Sequence, residues 1–105
     1  MMLGMDTFRE RLIWAREAAG LSQRKLAKWA GLASSHVQFL ETPPEEGKKA
    51  AGASAETARR LAGALSLSAA WLLLGDGVAP DAESIRAAAA ARDATDAART
   101  PPEAA

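Results

Sequence analysis

The stretch Leu21-Ser22-Gln23-Arg24-Lys25-Leu26-Ala27-Lys28-Trp29-Ala30-Gly31-Leu32-Ala33-Ser34-Ser35-His36-Val37-Gln38-Phe39-Leu40-Glu41 decides the fold. It reads as two short helices, over about residues 22–30 and 33–41, joined by a tight turn. Ser22 can cap the first by accepting a backbone N–H, and Leu26, Ala27 and Ala30 follow at helical spacing. Gly31 stands where that helix must stop and the backbone must take a positive φ, which glycine does most cheaply. Leu32 then fills the angle between the helices. Val37 and Leu40, three apart, give the second helix an inward stripe and leave Ser34, Ser35, Gln38 and Phe39 off it.

Working outward, Phe8, Leu12, Ala15 and Ala19 predict a helix over residues 6–19, closed by Gly20. Residues 42–52 contain Pro43-Pro44, Gly47 and Gly52 among mixed charges and read as a loop. Ser54 can cap a fourth helix whose inner face is Ala58, Leu61, Ala62 and Leu65, with Glu56 favourable in its first turn. Ser68 can cap a short fifth helix over residues 69–74, stopped at Gly75-Asp76-Gly77. No segment has a convincing strand pattern, so the expected class is all-α: five short helices around one core. Residues 80–100 differ, with five consecutive alanines at 87–91 and one large aliphatic residue, Ile85. Alanine favours helix, but a segment without an apolar stripe is expected to dock weakly. The expectation is a frayed or partly formed helix over about 81–98 and a disordered end. The division is therefore a compact domain over residues 6–77 and an acidic, Ala-rich tail over residues 78–105.

Composition narrows the function. The 105 residues suit one small domain. With no cysteine and one histidine, no metal site is expected. Isolated serines without a base, and no Gly-rich phosphate cradle, argue against an enzyme, and no cofactor is expected. The chain has no apolar run of the ~20 residues a membrane span needs, and its amino terminus lacks a signal-like pattern, so the expected place is the cytoplasm, off the membrane. Thirteen Lys/Arg balance thirteen Asp/Glu overall, yet residues 1–75 carry ten bases against seven acids. The front is mildly basic and the tail acidic, which permits a nucleic-acid partner.

The ordered set Gly20-Leu21-Ser22-Gln23, Leu26-Ala27, Ala30-Gly31-Leu32, Val37, Leu40-Glu41, Leu61-Ala62, Ala64-Leu65 and Ser68 with Trp71-Leu72-Leu73 resembles the Cro-like phage-repressor family, also called the xenobiotic-response-element helix-turn-helix family. The resemblance spans about residues 8–75, roughly two-thirds of the chain. It implies a five-helix repressor-like fold that binds operator DNA, commonly as a dimer on inverted half-sites. By position, Gln23 would grip a DNA phosphate, and Ser34, Ser35 and Phe39 would look at base edges. Arg16 and Glu41 match the family's internal ion pair.

The residues themselves add to this. Helix N-terminal N–H groups suit a phosphate oxygen. Arg24 and Lys25 lie in that first turn although its dipole disfavours cations by roughly 0.3–1 kcal/mol each, which fits a phosphate contact better than plain solvated surface. His36 is a surface or phosphate-adjacent candidate, and Lys48 and Lys49 are phosphate candidates opposed by Glu45 and Glu46. Two departures stand out. Ala33 occupies the usual cap position, so Ser34 can take over the cap and shift the helix start. The second helix also has no Arg or Lys for a bidentate guanine contact; Gln38 suits adenine and Phe39 a thymine methyl, so A·T-leaning half-sites are expected. Phe39 lies about 200° from Val37 and about 100° from Leu40, which leaves it base-facing, partner-facing or at the core rim. Trp14 projects away from the inward stripe with Ile13 on its flank, which suggests a second subunit, a protein partner, the chain's own tail through Ile85, or simple exposure.

Two functions remain. One is a sequence-specific DNA-binding transcriptional regulator, a repressor acting by promoter occlusion as a homodimer on double-stranded DNA. The other is an antitoxin-like or adaptor interaction module with a reduced DNA role.

Overall fold

A computed structural model of the chain describes residues 7–43 and 53–99. Six helices follow one another: α1 Phe8–Ala19, α2 Gln23–Ala30, α3 Ser34–Glu41, α4 Ala55–Leu65, α5 Ala69–Leu74 and α6 Ala82–Arg99. No strand occurs among the described residues. Among the described residues the protein is thus a compact all-α domain of six helices, one more than the five expected around the core.

Local chemistry sets most of the boundaries. The Thr7 hydroxyl accepts the Glu10 N–H, and the Glu10 carboxylate accepts the Thr7 N–H, so α1 begins with a reciprocal capping box. The hydroxyls of Ser22, Ser54 and Ser68 accept the N–H of Lys25, Thr57 and Trp71, as their positions in the sequence predict. Gly31 ends α2 at φ 73°, the left-handed conformation expected of it. At α3 the cap position is Ala33, with no side-chain bond, and Ser34 is the first helical residue. The alternative in which Ser34 takes over the cap is therefore not adopted.

Leu12, Leu26, Val37, Leu40, Leu61, Leu65, Leu72 and Ile85 are the largest fully buried side chains and belong to one cluster. The inner faces read from the periodicity of helices α1 to α4 all reach it, and Trp71 and Leu72 of α5 join them.

The tail departs from expectation. Residues 82–99 form a continuous helix, opened by the Asp81 carboxylate accepting the Ser84 N–H. It packs chiefly along α1 and less on α4. Ile85 and Ala89, one turn apart, are buried in the common core. Weak docking was expected because α6 has almost no apolar stripe. The physical reason it docks is on the other side: α1 offers an apolar flank that needs cover, and small alanines let the two backbones approach closely. Trp14 shares in this. It is half-buried, packs against the core, and meets Trp71 edge-on at 5.8 Å between centroids. No helix among the described residues is long and apolar enough to cross a membrane.

Candidate nucleic-acid interface

Glu41, the last residue of α3, is buried and organises the packing of α1, α2 and α3. Its carboxylate receives Arg16 through two parallel bonds, Nε to Oε2 at 2.6 Å and Nη2 to Oε1 at 3.0 Å. The Gln23 amide donates to the same Oε1 at 2.9 Å. Arg16 also donates to the Leu21 carbonyl at 2.8 Å, and Arg9 donates to the Glu41 carbonyl at 2.9 Å. One carboxylate thus ties α1, the start of α2 and the end of α3 together. The planar fork of arginine matches the carboxylate and adds geometric precision to charge. The ion pair read from Arg16 and Glu41 is present. Gln23, expected on a phosphate, uses one of its two amide N–H groups inside this lock.

Held this way, α3 turns Val37, Leu40 and Glu41 inward and leaves Ser34, Ser35, Gln38 and Phe39 exposed. At 100° per residue these four lie within an arc of about 140°. Phe39 is 61 % exposed and stands outside the core cluster, so it is not a rim-packing residue. His36 is half-buried, about 60° beyond Phe39 at the edge of that arc. The arc offers two hydroxyls, one amide and one aromatic ring, and no charge.

The cations lie on α2 and α4. Arg24 and Lys28 are exposed on α2. Lys25 is half-buried, and its ammonium reaches Asp93 of α6 at 2.5 Å. Arg59 and Arg60 are engaged by Glu56, each at 2.9 Å. The Arg60 and Arg59 hydrogen bonds hold the Glu56 carboxyl below the ordinary glutamate range. Lys48 and Lys49, with the acids beside them, lie outside the described residues.

Three arginines escaped the sequence reading. Arg11 is buried and donates to the carbonyls of Leu72 and Leu73 at 2.9 and 3.0 Å, satisfying the last turn of α5. Its spacing from Phe8 and Ala15 puts it on the inward stripe, a signal that charge alone disguises. A Cβ at Gly75 (φ 77°) would come within 3.1 Å of its guanidinium, so glycine is favoured at the end of α5 on two counts. Arg9 and Arg92 act on backbone carbonyls of distant helices, for which no local pattern exists. Ile13 and Trp14, the candidate partner surface, are both half-buried.

Among the described residues no group of three or more metal-ligating side chains comes together. Comparison with known proteins finds no match: no family model matches the chain, and no curated protein or solved structure matches it.

Proposed function

We propose that the protein is a sequence-specific DNA-binding regulator of transcription that inserts α3 into the major groove. The observation that carries this reading is the exposed arc of Ser34, Ser35, Gln38 and Phe39 on a helix braced at its far end by the Glu41 lock. Base reading needs side chains on a rigid element, and hydroxyls, an amide and an aromatic edge are groups that meet base edges and the thymine methyl. Arg24, Lys25 and Lys28 supply phosphate contacts beside it, with Lys48 and Lys49 as further contributors. Gln23 positions α3 through Glu41 with one amide N–H, and its second amide N–H is a donor for a phosphate oxygen. The preference is for A·T-leaning half-sites, read by a dimer that represses by occlusion.

Of the features that favour an interaction module, Trp14 is half-buried against Trp71 instead of standing free, while the absence of Arg and Lys from α3 and the acidic tail remain.

The test is a salt titration of binding to the promoter of the protein's own gene beside a scrambled duplex. Preference for the promoter, with affinity falling steeply as salt rises, supports the reading. Equal, weak binding to both duplexes overturns it. Phe39→Ala should shift preference at one base position while Arg24→Ala weakens all sequences alike.

A further inference from the structure

Helix α6 reaches the candidate phosphate edge of α2. Ile85, Ala89 and Arg92 share one face of α6, being four and seven residues apart, and Asp93 stands beside them. The first two are buried against the core, which fixes where the next turn lands. There, Asp93 meets the Lys25 ammonium, and the Arg92 guanidinium lies 4.8 Å over the Trp29 ring and donates to the Trp29 carbonyl at 3.3 Å. Lys25 is itself 5.6 Å from that ring. An acid thus faces the cation of α2's first turn and a base faces its C-terminal carbonyl, the signs that match the helix dipole. Lys25 and Asp93 are 68 positions apart, so their meeting is a product of the fold.

We propose that α6 is a built-in competitor for DNA phosphate at Lys25. This rests on the DNA-binding reading. Asp93 presents an anionic oxygen where a backbone phosphate would present one, and the ammonium exchanges one for the other when DNA arrives. The pair keeps side-chain exposures of 41 % and 55 %, so it is weak enough to be exchanged and does not seal the site. The consequence is a moderated affinity: the protein gives up one internal ion pair and leaves Asp93 facing the duplex, which offsets part of the counterion release from that phosphate.

The experiment titrates full-length wild type, Asp93→Asn, Lys25→Ala and the double variant onto the promoter duplex over a range of salt. Asp93→Asn is expected to bind about three- to fivefold tighter at low salt. Its salt dependence should steepen by up to about one unit of slope. The gain should vanish in the Lys25→Ala background. Ile85→Ala, which unseats the helix carrying Asp93, should give a gain of similar size. Unchanged affinity for Asp93→Asn alongside promoter-specific binding by wild type overturns this inference alone. A full gain that persists without Lys25 also overturns it, because Asp93 would then only repel DNA. Failure of all variants to prefer the promoter overturns the DNA-binding reading and this inference with it.

Discussion

Helix α3 buries Val37, Leu40 and Glu41 within eight residues, whereas α6 runs for eighteen and places Ile85 and Ala89 in the core. The first is anchored by its own pattern plus a charged lock contributed by three other side chains. The second has one large apolar residue and is held by what receives it, the flank of α1, with polar contacts from Arg92 and Asp93 further along. They also start differently: α6 has a carboxylate cap at Asp81, and α3 has the bare methyl of Ala33. The difference teaches that an amphipathic stripe is sufficient for docking but is not required. A long alanine-rich helix with little apolar stripe docks when its partner offers apolar area and tolerates close approach.

The comparison breaks most severely at the lock. Glu41→Ala leaves Arg16 nearly buried without its carboxylate and frees Gln23. Breaking such a pair costs about 3–5 kcal/mol, and the residual exposure of Arg16, 15 % of its side chain, puts the expectation toward the lower end. Denaturant unfolding should show the midpoint drop at unchanged slope. A loss below about 1 kcal/mol would mean that the lock orients α3 without stabilising it.

Ile85→Ala tests the other side. Truncating a fully buried isoleucine costs about 2–5 kcal/mol. Because α6 meets the core through so few large side chains, the loss should appear as faster amide exchange across residues 82–99, with α3 protected as before. Exchange that accelerates equally in both helices would show that α6 and α3 form one cooperative unit.

The smallest effect runs in the stabilising direction. Ala33 has φ −72° and ψ 144°, the extended backbone of an N-cap, and lacks only the acceptor. Ala33→Ser should stabilise the protein by about 0.5–2 kcal/mol, read as a raised thermal midpoint. The same gain without tighter DNA binding would separate the stability of α3 from its reading face.

Helices α1 to α5, the serine caps of α2, α4 and α5 and the glycine stops of α1, α2 and α5 were legible in the sequence because each depends on neighbours within about one turn, where periodicity and backbone chemistry act. The exposed arc of α3 was legible for the same reason: residues off an inward stripe must face outward. The Arg16–Glu41 pair came from resemblance to a family, since nothing local joins residues 25 apart. Tertiary structure alone decided the rest. It bent Gln23 onto Glu41, buried Arg11 against the end of α5, and seated α6 on α1 so that Asp93 meets Lys25. Those contacts depend on which surfaces the folded core leaves uncovered and which backbone carbonyls it leaves without donors. Both quantities belong to the assembled chain and not to any stretch of it.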